Sequence, residues 1–171
     1  MVSTQIVKRS LVLAPPERVW AALTDAGQLA TWFGAEFVSP FVPGAHVIGR
    51  MIPTQVLPSV ARRRKAYTGL SFELDVERLE PSRLLSFRWS PSAFFNPDVK
   101  AVGRSLVMIN IEPASRGCHL TITESDFEGL PSELLETIIE ARTGDWGDWS
   151  TQALQLELFL SGAIDLRPVK D

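Results

Sequence analysis

The segment Leu70-Ser-Phe-Glu-Leu-Asp-Val-Glu77 carries the clearest structural signal in the chain. Apolar residues alternate in it with serine or acidic residues, and this period of two predicts a β-strand with one face in a core and the other in water. Residues 80–83 form a predicted turn. The inner face of the following strand then carries Leu85, Phe87 and Trp89.

The residues before this strand predict a strand, two short helices and a hairpin. Pro15-Pro16 suits the first turn of a helix, where the missing N–H would have no partner in any case. Asp25 and Gln28 form a capping-box pattern that starts the second helix. In order, the predicted elements are a strand at 5–13, a helix at 17–23, a helix from Asp25 to Gly34, a hairpin of 35–39 with 45–52, and a long loop at 53–67.

The residues after residue 89 predict two further strands and a long helical region. In order, the predicted elements are a loop at 90–103, strands at 104–112 and 118–125, and a helical pattern at 132–162. Gly144 and Gly147 lie inside the helical pattern. Each costs a helix about 1 kcal/mol relative to alanine, so we expect a kink or break there.

These elements predict one α+β domain over residues 1–171. Sequential strands with short turns favour an antiparallel meander. Its half-buried face needs an apolar cover, and the C-terminal helix is the only predicted element long enough to provide it. We therefore predict a curved antiparallel sheet wrapped on a long C-terminal helix, with two short helices after the first strand. The space between such a sheet and helix is commonly a ligand cavity.

Composition narrows the function classes. The net charge is -3, so the chain has no overall positive field that would attract nucleic acid or an anionic membrane. Cys118 is the only cysteine, which rules out an intramolecular disulfide and a cysteine-based metal site. The first residues lack the apolar stretch of a signal peptide. A cytoplasmic location is expected.

Three segments in order resemble a known family. They are Ala14-Pro-Pro-Glu-Arg-Val-Trp-Ala-Ala-Leu-Thr-Asp with Trp32-Phe33-Gly34, Val76-Glu-Arg-Leu-Glu-Pro-Ser-Arg-Leu-Leu-Ser-Phe-Arg-Trp, and Leu120-Thr-Ile-Thr-Glu-Ser-Asp-Phe-Glu-Gly-Leu-Pro with the later Trp149. Together they resemble the Hsp90-ATPase-activator-homologue group of the START-like (SRPBCC, helix-grip) superfamily. The resemblance implies a helix-grip (START/Bet v1-like) fold with an apolar cavity under the last helix. Hsp90 binding does not follow from it, because one fold hosts many functions.

The chain departs from the family pattern at two places. Asp126 stands where the family often has glycine, and Gly144-Asp-Trp-Gly-Asp-Trp stands where it often has Gly-Gly-Trp. Both departures concern the polar end of the expected cavity.

No catalytic motif emerges from the sequence, and no catalytic residue, metal site or cofactor is predicted. His46 and His119 are the only histidines, and His119 alternates to the outer face of its strand. Asp145 and Asp148 lack the further ligands that a metal needs. The basic run 62–65 is predicted to be a solvated loop. Phe94 and Phe95 lie between prolines in a loop and suggest a lid or a partner surface.

Glu124 is the unusual carboxylate. It shares strand parity with Leu120 and Ile122, so its side chain should point inward, where a carboxylate needs a partner. Arg142 and the indole N–H of Trp149 are the candidate partners. A structural ion pair and a polar anchor for a ligand, or an acid/base group, both remain open.

The sequence therefore predicts non-catalytic binding of an apolar small molecule between the sheet and the C-terminal helix. The alternatives are a chaperone-associated interaction module and a START-like enzyme that uses Glu124. A homodimer is left open as well. The predicted ligand-binding residues are Trp32, Phe33, Phe72, Phe87, Trp89, Ile109, Ile122, Glu124, Trp149 and Ala153.

Overall fold

A computed structural model of the protein describes residues 4–94, 102–143 and 148–162. The strands are β1 (Ile6–Val12), β2 (Ala35–Phe37), β3 (His46–Met51), β4 (Ser71–Glu80), β5 (Leu84–Trp89), β6 (Arg104–Ala114) and β7 (Gly117–Glu128). The α-helices are α1 (Pro16–Thr24), α2 (Ala26–Trp32), α3 (Pro58–Arg63), α4 (Ser132–Arg142) and α5 (Asp148–Ser161). Short 3₁₀ turns occupy Lys65–Tyr67 and Pro91–Phe94.

The strands form one curved antiparallel sheet in the order β1-β7-β6-β5-β4-β3-β2. The pairing places the predicted inner residues opposite one another: Phe87 faces Val76 on β4 and Val107 on β6. Register shifts interrupt β4 between Val76 and Arg78, and β6 near its start. Such bulges bend a strand and increase its twist, which helps the sheet to curve around its cover.

The short helices begin and end within two residues of the bounds that the sequence predicts. Pro16 occupies the first turn of α1. The Asp25 side chain accepts a hydrogen bond from the Gln28 N–H at 2.9 Å and so caps α2. Gly34 follows α2 with a φ of 83°, and a Cβ there would lie 2.8 Å from the Ile52 carbonyl oxygen. Only glycine fits such a position without strain, so the chain turns there into β2.

The C-terminal helical region consists of two helices, which confirms the expected break. α4 ends at Arg142, and Thr143 after it has an extended backbone. α5 then covers the inner face of the sheet with the buried side chains Trp149, Ala153, Leu156 and Leu160. The curved antiparallel sheet and the C-terminal helix that covers it together form a helix-grip fold.

Residues 53–67 were predicted to be a long loop, and the structure shows that they are partly helical. They contain α3 and a 3₁₀ turn, and Val60 of α3 is buried. The prediction was wrong because a helix of this length shows too few turns for its periodicity to stand out. Pro58 in its first turn was the available signal.

Some sequence predictions concern parts outside the described residues. These are the side chain of Phe94, the whole of Phe95, and the segment 144–147 with Asp145 and Trp146. Among the helices within residues 4–94, 102–143 and 148–162, none is long and apolar enough to cross a membrane.

Candidate functional site

Glu124 lies at the centre of a buried polar cluster between the sheet and the C-terminal helices. Its side chain is fully buried, and it points inward as its parity on β7 predicts. One carboxylate oxygen accepts hydrogen bonds from Arg142 Nε at 2.9 Å and Trp149 Nε1 at 3.0 Å. The other accepts from Trp89 Nε1 at 3.0 Å and Ser105 Oγ at 2.7 Å. Both partners expected from the sequence are therefore present, and Trp89 and Ser105 join them.

We define the buried polar cluster as Glu124, Arg142, Trp89, Trp149 and Ser105. The rings of Trp89 and Trp149 stack with centroids 5.7 Å apart. The Arg142 guanidinium lies 5.6 Å from the Trp89 ring and 5.7 Å from the Trp149 ring. Cation–π contacts of this kind gain strength when the groups are removed from water. The cluster thus joins β5, β6 and β7 to both C-terminal helices.

Arg142 connects this buried cluster to a more exposed carboxylate. Its Nη1 donates to Asp148 Oδ2 at 2.7 Å, while its Nε donates to Glu124. The Arg142 side chain is only 4% exposed, and that of Asp148 is 49% exposed. The end of α4 and the start of α5 are therefore held together by one buried cation.

An apolar cavity of about 50 Å³ lies between the inner face of the sheet and α5. Nine of the ten predicted ligand-binding residues line it. These are Trp32, Phe33, Phe72, Phe87, Trp89, Ile109, Ile122, Trp149 and Ala153. Glu124 is the tenth; it lies behind the two tryptophans and does not line this cavity. These nine residues therefore border one space, while contact of any of them with a ligand stays a prediction.

A second cavity of about 290 Å³ adjoins the apolar one, and we call it the polar cavity because charged side chains form part of its otherwise mixed wall. The two share Phe33, Trp89, Trp149 and Gln152 as a common wall. The polar side also contains Arg63, Arg64, Tyr67, Arg142, Asp148 and Thr151. The end of α3 thus faces the beginning of α5 across this space.

Arg64 is the residue of this cavity that the sequence reasoning missed. Its side chain is half-buried, whereas Arg62, Arg63 and Lys65 are exposed. It follows the buried Val60 by four residues, so both lie on the same face of the helical turn. Reading 58–64 as a helix with proline in its first turn would have placed Arg64 on the inward side.

The contacts of Arg64 are with neutral oxygen atoms. Its Nη1 donates to the Phe33 carbonyl oxygen at 3.5 Å. With the Gln152 amide oriented to satisfy both groups, its oxygen accepts from the Arg64 guanidinium at 3.1 and 3.2 Å. Burial lowers the pKa of Arg64 from its usual value, and the charge of nearby Asp148 partly opposes that change. Among the described residues, no carboxylate lies within 4.0 Å of the Arg64 guanidinium.

The two histidines lie away from both cavities. His46 is on the outer face of β3, where its Nδ1 lies 2.6 Å from Asp75 Oδ1. His119 is exposed on β7, as its parity predicts. In the described part of the chain, no three His, Cys, Asp or Glu side chains converge in a way that could hold a metal ion.

Comparison with known proteins identifies the family. Residues 13–144 match the family described as Activator of Hsp90 ATPase homolog 1-like protein. The chain belongs to this family. The family match begins before α1 and ends just after α4, so α5 and the cavity wall that it supplies lie beyond the matched residues.

Solved structures share the helix-grip fold of this family member. A protein from Mesorhizobium loti is 21% identical with a TM-score of 0.65, over 93% of this chain and 98% of that one. A protein from Arthrobacter aurescens is 20% identical with a TM-score of 0.67, over 94% and 87%. A protein from Bordetella parapertussis is 22% identical with a TM-score of 0.64, over 98% and 80%. No curated protein matches the chain. Identities at this level show the fold alone.

Proposed function

We propose that this family member binds a small molecule with an apolar body in the space between the sheet and α5, without transforming it. The observation that carries the proposal is the pair of adjoining cavities. Nine of the ten predicted ligand-binding residues line the apolar one, and the polar one shares a wall with it.

The sizes of the two cavities indicate how a ligand would lie. Pockets for small molecules are typically about 300–1,000 Å³. The apolar cavity of about 50 Å³ is too small by itself, and the polar cavity of about 290 Å³ approaches this range. A ligand therefore occupies the polar cavity and extends its apolar part past Phe33 and Trp149, with some movement of the apolar wall.

The contacts of Glu124 favour binding over a reaction that uses this residue. A carboxylate has about four lone-pair positions for accepting hydrogen bonds. The donors Arg142, Trp149, Trp89 and Ser105 occupy this capacity. A general acid or base must also reach the proton that it transfers, and Glu124 lines neither cavity. Its role in the proposal is to hold the two tryptophans of the shared wall in place.

The test uses N-phenyl-1-naphthylamine, an uncharged lipophilic dye whose fluorescence rises in apolar surroundings. We expect saturable binding to the folded wild type. Ala153→Phe, which fills the cavity from α5, should weaken dye binding at least about tenfold, equivalent to 1.4 kcal/mol. Leu154→Phe is the matched control, because Leu154 is the next residue of α5 and is 45% exposed. It should change the dye affinity less than about twofold, equivalent to 0.4 kcal/mol.

Urea unfolding of each variant checks that the fold persists. Absence of dye binding to the folded wild type would overturn the proposal and favour the chaperone-associated interaction module. Equal losses in the two variants would show that the dye binds elsewhere.

A further inference from the structure

Among the residues that the structure describes, the charges around the polar cavity do not balance. Its described lining residues include Arg63, Arg64, Arg142 and Asp148. Arg142 is already held by Asp148 and by Glu124 behind the wall. Three arginines against these two carboxylates leave one net positive charge, and Arg63 and Arg64 carry it at the side of the cavity formed by α3.

Arg64 is the less exposed of these two arginines. A half-buried cation is poorly hydrated, and neutral oxygens compensate its charge only partly. The guanidinium is held by the Phe33 carbonyl and the Gln152 amide oxygen, so its direction is set before any ligand arrives. Fixed donors lose little side-chain entropy on binding, which favours recognition of a complementary anion.

We propose that the polar cavity binds the anionic group of a monoanionic ligand, a carboxylate, against Arg64 and Arg63, while the apolar part of the ligand lies toward α5. This rests on the proposed function, because the apolar part needs the adjoining cavity. The single net positive charge favours a carboxylate over a doubly charged phosphate monoester. The planar guanidinium fork matches the two oxygens of a carboxylate.

The test compares three probes of matched shape by isothermal titration calorimetry. They are 2-naphthoate, the uncharged 2-naphthylmethanol and the cationic 2-naphthylmethylammonium. We expect wild type to bind the anion at least about tenfold more tightly than the alcohol, since a charge-assisted hydrogen bond contributes about that much. The cation should bind more weakly than both. The preference for the anion should decline between ~50 and ~500 mM salt.

Two variants locate the preference, and a third controls for the change in net charge. Arg64→Gln should lower the affinity for 2-naphthoate about tenfold and leave that for 2-naphthylmethanol unchanged within twofold. Arg63→Gln removes an exposed charge from the same cavity. It should lower the affinity for 2-naphthoate about threefold without disturbing the fold. Arg62→Gln removes an equal charge from α3, but Arg62 does not line the cavity. It should leave all affinities unchanged.

The outcomes separate this inference from the proposed function. If 2-naphthylmethanol binds and the anion binds no better, the carboxylate site does not exist and the apolar ligand site stands. If the anion preference persists in both Arg64→Gln and Arg63→Gln, the anion is recognised elsewhere and the inference fails. If no probe binds the folded wild type, both proposals fail.

Discussion

Replacing Glu124 with glutamine tests whether the buried polar cluster holds the fold together. The substitution keeps the shape of the side chain but replaces one acceptor oxygen with an amino group. Whichever way the amide turns, its NH₂ group faces two groups that donated hydrogen bonds to the carboxylate. If the NH₂ group faces Trp89 and Ser105, the serine hydroxyl can rotate to accept a hydrogen bond, but the Trp89 N–H cannot accept one. Arg142 also loses its fully buried charge partner, which lies 2.9 Å from its Nε.

The expected loss follows from these contacts. Breaking a buried ion pair by neutralising one partner costs about 3–5 kcal/mol, because the other charge remains buried. Asp148 still holds Arg142 at 2.7 Å, and this remaining pair keeps the loss toward the lower end of that range. A buried donor without an acceptor, such as the Trp89 N–H, costs about 1–3 kcal/mol and overlaps with the same loss. We therefore expect Glu124→Gln to lower the free energy of unfolding by about 3–5 kcal/mol.

Urea unfolding followed by tryptophan fluorescence measures this loss. Glu128→Gln is the matched control, because Glu128 is an exposed carboxylate on the same strand. It should change the free energy of unfolding by less than about 0.5 kcal/mol. A loss below about 1 kcal/mol for Glu124→Gln would refute the structural role, because a buried pair must cost more than an exposed one.

Two further predictions concern β3. Gly49→Ala should destabilise the protein by about 1–3 kcal/mol through overpacking, because the new Cβ would lie 2.5–2.9 Å from ring atoms of Phe72; a thermal or urea midpoint equal to that of wild type would contradict this. The hydrogen bond that the His46 imidazole donates to the Asp75 carboxylate raises the pKa of His46, so an NMR titration should place the His46 midpoint above about 6.5, and Asp75→Asn should bring it back toward that value. The raised pKa also makes the stability of the fold depend on pH. The stabilisation from the contact between protonated His46 and Asp75 is fully present below the pKa of His46 in the unfolded chain, and it is lost as the pH rises through the raised pKa of His46 in the folded protein. An unchanged midpoint in Asp75→Asn would show that Asp75 is not the cause.

The sheet could be predicted because its signal is local. Each strand alternates between a buried and a solvated face, so hydrophobicity along β4 and β5 records which side chains enter the core. The same parity placed Glu124 inside, and a buried carboxylate requires donors, so Arg142 and Trp149 could be named as partners. Three segments in order sufficed for the family, and the family match confirms it.

The polar cavity depended on the tertiary structure. Arg64 and Gln152 are far apart in sequence, and only the tertiary fold, which places the end of α3 opposite α5, brings them within hydrogen-bond distance. Trp89 and Ser105 reach Glu124 from two other strands, and the pairing of β5, β6 and β7 brings the three residues together, which alternation along one strand does not reveal. The volume of a cavity also depends on the tertiary structure, because it is a small difference between the volume that the sheet encloses and the volume of the side chains that fill it. Alternation along a strand states which way a side chain points; how much room remains there depends on every element packed around it.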